Sequence, residues 1–109
     1  MSYLSKADEM ILLIVLRLKD NAYGVTIRQR IEKETNKLYG YGTLYSALDQ
    51  LQRKGYVNKI MGDPSPERGG RRKKYYSLTK KGLDALKNEQ KLRVSLGDGI
   101  TEAMLQYVK

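Results

Sequence analysis

The sequence predicts a mainly α protein with one small β-hairpin, a winged helix-turn-helix followed by a C-terminal dimerisation helix. Three features predict it. Three amphipathic helical segments precede residue 55, with a Gly-rich turn between the second and third. Residues 41 to 82 then place a short amphipathic helix ahead of two strand-like runs that flank a basic, Gly-rich loop. A last apolar stripe recurs at helical spacing close to the C-terminus.

Residues 4 to 19 hold only helix-compatible residues, with Leu4, Ala7, Met10, Ile11, Ile14, Val15 and Leu18 on one broad face and Ser5 or Asp8 as cap candidates. The centre, Met10 to Leu16, is apolar all round, so this helix must be covered on more than one side. The cover is either the chain's own core or a partner subunit. Asn21-Ala22-Tyr23-Gly24 ends it. A second helix is expected from about Tyr23 to Glu34 with Val25, Ile27 and Ile31 buried, closed by Thr35-Asn36-Lys37.

Tyr39 to Gly42 form the turn, and a third helix runs over residues 43 to 54, stopped by Gly55. Leu44, Ala47, Leu48 and Leu51 follow the i, i+3, i+4, i+7 pattern and must face inward. At about 100° per residue, Gly42, Ser46, Asp49, Gln50 and Arg53 then point outward, with Thr43 and Tyr45 on the flanks. Residues 55 to 62 and 73 to 78 read as paired strands, the second turning Tyr76 and Leu78 inward and Lys73, Tyr75 and Ser77 outward. Two Pro and two Gly deny the loop between them regular structure.

Thr79 is an N-cap candidate for a last helix, yet Lys80 and Lys81 occupy its first turn, where the helix dipole disfavours cations. Either they are simply exposed at a small cost, or an external anion such as a DNA phosphate lies near them. The tail continues through Leu83, Leu86, Leu92 and Leu96, meets Gly97-Asp98-Gly99, which either kinks or breaks the helix, and resumes with Ile100, Ala103, Met104, Tyr107 and Val108. So short a chain offers that stripe few partners. Packing against a second subunit is the economical expectation, and folding back on helix one is the alternative. The division expected is residues 1–80 as the winged helix-turn-helix and 81–109 as the C-terminal segment.

The 109 residues suit one domain whose small size leaves it dependent on extra burial. Lys and Arg number 21 against 12 Asp and Glu, a formal charge of +9, as expected of proteins that meet nucleic acid or an anionic membrane. The excess is local. Residues 1 to 20 balance three cations against three acids, whereas residues 68 to 81 carry Arg68, Arg71, Arg72, Lys73, Lys74, Lys80 and Lys81 with no acid. With no Cys and no His, disulfides and thiolate sites are excluded, and metal or triad chemistry is a poor fit. The longest apolar run, Met10 to Leu16, is far short of the ~20 residues of a membrane span. The N-terminus has acid where a signal peptide would have bases. A soluble, cytoplasmic protein without cofactor, metal or enzymatic activity is expected.

A recognition helix fills a major groove about 12 Å wide and reads bases mainly from its N-terminal residues, while a basic hairpin beside it meets phosphates. Thr43, Tyr45 and Ser46 therefore rank first as DNA contacts and Gln50 and Arg53 second. Arg68, Arg71, Arg72, Lys73 and Lys74, in a wing spanning 62–74, are the backbone-binding set. Each would also fit an ordinary solvated position. The expected subunit contact comprises Ile11, Val15, Leu92, Leu96, Ile100, Met104, Tyr107 and Val108.

The chain resembles the PadR-like winged-helix transcriptional regulators. The likeness rests on Tyr23-Gly24 opening helix two, on Gly42-Thr-Leu-Tyr-Ser-Ala-Leu-Asp-Gln-Leu followed by Gly55, and on Gly70-Arg-Arg-Lys-Lys-Tyr-Tyr-Ser-Leu-Thr-Lys-Lys-Gly82. It spans nearly the whole chain and points to the short form with a single C-terminal helix. The resemblance implies a homodimeric regulator, usually a repressor, that binds a palindromic operator in double-stranded DNA, with helix one and the C-terminal helix building the dimer. It also implies a small aromatic effector at the dimer interface in some relatives. This chain has no Trp and no Phe, so an aromatic sandwich built on those residues does not carry over. On size and charge alone, a small basic RNA- or ribonucleoprotein-binding structural protein fits equally well, and a protein-binding adaptor is a third reading.

Overall fold

A computed structural model describes residues 4–64, 72–97 and 100–107. Helix α1 spans Lys6–Leu18 and is capped as its sequence suggests: the Ser5 hydroxyl accepts from the Asp8 N–H at 3.1 Å, with Asp8 and Glu9 in the favourable first turn. A single 3₁₀ turn, Lys19–Asn21, leads to α2, Gly24–Thr35. Asn36 ends α2 in the left-handed conformation (φ 59°), a position that Asn tolerates well.

Helix α3 spans Tyr41–Arg53 and starts two residues before its expected bound. It ends in a Schellman arrangement. The Gly55 N–H donates to the Gln52 carbonyl and the Tyr56 N–H to the Leu51 carbonyl, both at 2.9 Å, with Gly55 at φ 83°. Strands β1, Val57–Pro64, and β2, Arg72–Leu78, pair antiparallel from Val57↔Leu78 to Met61↔Lys74 and then slip by one residue to Pro64↔Arg72. That extra residue is a bulge, and the slip falls at Gly62 and Asp63. The other edge of β2 is not bare: Tyr23 forms a bridge to Tyr75, and the Tyr76 N–H donates to the Ala22 carbonyl at 2.8 Å. The segment entering α2 thus adds a third, one-residue strand that the sequence did not announce.

The core lies where α1, α2, α3 and the hairpin meet. Ile11, Leu12, Ile27, Ile31, Leu44, Leu48, Leu51 and Val57 are fully enclosed, joined by Tyr76 and Leu86. Two expectations fail on helix faces. Val25 is exposed, because Ile27 and Ile31 define the buried stripe of α2 and Val25 sits about 200° around the helix from Ile27. Ala7 is also exposed.

Helix α4 spans Lys80–Gly97 and α5 Ile100–Tyr107; whether the two are continuous turns on Asp98 and Gly99, outside the described residues. Thr79 caps α4, its hydroxyl accepting from the Gly82 N–H at 3.0 Å while donating to the Gly55 carbonyl at 2.5 Å. As far as Arg93, α4 packs on α1 and the residues leading into it. Glu9, buried in α1, accepts from Arg93 Nε at 2.9 and 3.0 Å, from the Arg93 terminal nitrogen and from Gln90, while the buried Glu89 accepts from the Leu4 N–H at 2.7 Å. The Glu9 carboxylate raises the Arg93 pKa above its usual value, first by hydrogen bonding and then by its charge. From Lys91 to Gly97 and over residues 101–107 every position is exposed.

Candidate nucleic-acid interface

Burying Leu44, Leu48 and Leu51 fixes what α3 presents to solvent. Thr43, Ser46, Gln50 and Arg53 are exposed along one side, as their spacing requires. At Gly40 and Gly42, at the start of α3, nothing lies within 4 Å of where a Cβ would be.

Tyr45 departs from the expectation of a free flank residue. It is half-buried, stacks on Tyr41 with ring centres 6.1 Å apart, and presses its hydroxyl against α2 so closely that a Cβ on Gly24 would lie 2.1 Å from it. Burial, then the neighbouring Tyr41, raises the Tyr45 pKa above its usual value.

The wing joins α3 through Lys74 and the start of α2 through Lys73. Lys74 is exposed and carries its ammonium 5.7 Å from the centre of the Tyr45 ring; Lys73 is half-buried with its ammonium 4.1 Å from the centre of the Tyr23 ring. Tyr75 meets Tyr23 edge-on at 5.5 Å and covers Gly62 on the opposite strand. Arg72 belongs to β2, but its side chain, with Arg68 and Arg71, lies outside what is described.

Three further residues join this face. Arg28 of α2 donates to the Tyr39 carbonyl at 2.6 Å and lies 4.5 Å from the Tyr41 ring centre, extending the row of rings and cations. The i, i+4 spacing of Tyr41 and Tyr45 could have revealed that pair, and Tyr23 stood in the turn; nothing in the sequence marks Arg28.

Lys80 and Lys81 separate. Both are exposed, but the Lys81 ammonium donates to the Lys54 carbonyl at 2.8 Å and rests 5.4 Å from the Tyr56 ring centre, which gives it a partner within the chain at the C-terminus of α3.

The residues expected at a subunit contact divide in the same way. Ile11 and Val15 are buried in the chain's own core and have no surface to offer a second copy; Leu16, 45% exposed, is the α1 residue that does. Leu92, Leu96, Met104 and Tyr107 are exposed. The Ile100 side chain and Val108 lie outside the described residues. Among the described residues no group of His, Cys, Asp and Glu could hold a metal ion, and no helix is long and apolar enough to cross a membrane.

A three-helix core, an antiparallel wing and an exposed polar face on the third helix define a DNA-binding winged-helix protein. Residues 12–88 match the transcriptional regulator PadR-like family model, and the chain belongs to that family.

Solved structures carry the same fold. A PadR family transcription regulator from hypervirulent Clostridium difficile R20291 is 27% identical, with a TM-score of 0.66 over 96% of this chain and 100% of that one. A transcriptional regulator from Clostridium thermocellum, 24% identical, gives a TM-score of 0.66 over 94% and 92%. A PadR-like transcriptional regulator from Bacillus cereus, 20% identical, gives 0.72 over 90% of each. No curated protein matches the chain.

Proposed function

We propose that the protein is a cytoplasmic transcriptional repressor that binds a two-fold symmetric operator as a homodimer. Each subunit lays α3 in the major groove and its wing, residues 62–74, on the sugar-phosphate backbone. Thr43 and Ser46, near the α3 N-terminus, read base edges, Gln50 and Arg53 follow, and Lys73, Lys74 and the arginines of the wing neutralise phosphates. The observation that carries this reading is the seating of Lys74 over the ring of Tyr45, which puts the cationic wing beside the exposed face of the reading helix.

In this reading residues 1–80 bind DNA and residues 81–109 join the subunits, with one qualification. The buried Leu86 and Glu89 make α4, at least to Glu89, part of the same core. A small aromatic effector between the subunits would act by changing the spacing of the two reading helices.

Titration of duplex DNA against salt tests the proposal. If each subunit neutralises about three or four phosphates, log K falls against log salt with a slope near ~−6. Selection from random duplexes should return a two-fold symmetric site with half-sites about one helical turn, or a multiple of it, apart. A slope near zero, or displacement by structured RNA in preference to duplex DNA, would sink the reading.

A further inference from the structure

We propose that Tyr45 and Tyr23 are positioning residues for DNA binding, their rings seating Lys74 and Lys73 and so registering the wing on the helix-turn-helix. The inference rests on the DNA-binding reading above and assigns Tyr45 a task other than reading bases.

Successive residues of a strand point to opposite faces, so Lys73 and Lys74 leave β2 in divergent directions on flexible four-carbon stems. Each ends on a ring supplied by the helix-turn-helix. Lys74 meets Tyr45, one turn into α3, and Lys73 meets Tyr23, the residue that caps α2 and bridges to Tyr75. A two-stranded wing has little stability of its own, and these contacts fix where its cations stand relative to α3.

The backbone accommodates the arrangement at one decisive point. Gly24 leaves room for the Tyr45 hydroxyl where any Cβ would lie 2.1 Å from it, which fixes the ring between α2 and the wing. A ring so held is not free to enter a groove and sort bases.

The experiment compares Y45F, Y45L, K74A and the double variant Y45L/K74A in the full-length chain, reading duplex affinity across salt and base preference by site selection, with melting temperatures recorded for each. The expected result is that Y45L and K74A each weaken binding by roughly 3- to 10-fold, lower the salt slope by about 1 per subunit and leave base preference unchanged. The double variant should be no worse than the weaker single one, and Y45F, which keeps the ring, should bind like the wild type.

Additive losses in the double variant, or altered base preference in Y45L with an intact salt slope, overturn the inference alone. Salt-independent binding by the wild type overturns it together with the DNA-binding reading. Should Y45L fail to fold, K74A and Y45F decide: an unchanged salt slope in K74A, or loss of affinity in Y45F, overturns it.

Discussion

The Lys81 ammonium, in the first turn of α4, donates to the carbonyl of Lys54, the residue that caps the C-terminus of α3, at 2.8 Å. A cation at a helix N-terminus opposes the dipole of its own helix, but here it sits on the negative end of another, where carbonyls lack intrahelical partners. Lys54 in turn reaches Asp8 of α1 at 3.7 Å, so the end of α3 is tied to both α1 and α4.

Replacing Lys81 by Met therefore lowers stability, whereas the same change at exposed Lys80 does not. A cation at an exposed helix C-terminus contributes about 0.3–1 kcal/mol, which corresponds to a fall of a few degrees in Tm for a domain of this size. Lys80→Met should instead weaken duplex affinity at low salt with Tm unchanged. Equal melting temperatures for the two variants would show that the α3 terminus does not need Lys81.

Gly82 tests how tightly α4 is seated. A Cβ there would lie 2.1 Å from the Tyr56 carbonyl oxygen, a backbone atom that cannot rotate away, so Gly82→Ala must push α4 off the end of α3. Overpacking of this kind costs about 1–3 kcal/mol and outweighs the gain of up to about 1 kcal/mol in helix propensity. Gly97→Ala is the control. With nothing within 4 Å of its Cβ, it should be neutral or slightly stabilising in the same thermal melt.

Tyr76 sets an alkaline limit. Burial, then the nearby Asp49 and Tyr45, raise its pKa from 10.0 to about 12. The unfolded chain thus releases this proton near pH 10 while the folded chain holds it to about 12. Its stabilising contribution is complete below pH 10 and is lost as pH rises from 10 through 12. Tyr76→Phe keeps the volume and removes the proton, so its stability should fall less steeply across that interval in denaturant titrations. Parallel curves for the two proteins would rule this group out as the cause.

How much of this was legible in the sequence depends on the range of the interaction concerned. Leu44, Leu48 and Leu51 announced the buried side of α3 through a local period, and Thr43, Ser46, Gln50 and Arg53 followed by geometry. Ser5, Thr79 and Gly55 announced their caps through residue chemistry alone. Periodicity cannot say what covers an apolar face, which is why Ile11 and Val15, expected at a subunit contact, are buried in the chain's own core. Lys81, Tyr45 and Arg28 act across 27, 21 and 11 residues of sequence, on Lys54, Gly24 and Tyr39, where no local signal reaches.

The exposed tail yields the last prediction. Leu96 is 71% and Tyr107 91% exposed, as is every position from 101 to 107. In the proposed homodimer a second copy would cover these apolar side chains by symmetry. Replacing Leu96 and Met104 together by Glu should then convert a dimer at micromolar concentration into a monomer in sedimentation equilibrium, reduce helicity by roughly the length of α5, and weaken operator binding. Leu16→Glu should act in the same direction, since Leu16 and not Ile11 or Val15 offers the α1 surface. Leu44, Leu48 and Leu51 are buried while the tail is exposed, so the variants should keep a cooperative melt at a Tm that no longer depends on protein concentration. A wild-type protein already monomeric at those concentrations would mean that something other than a second copy covers α5.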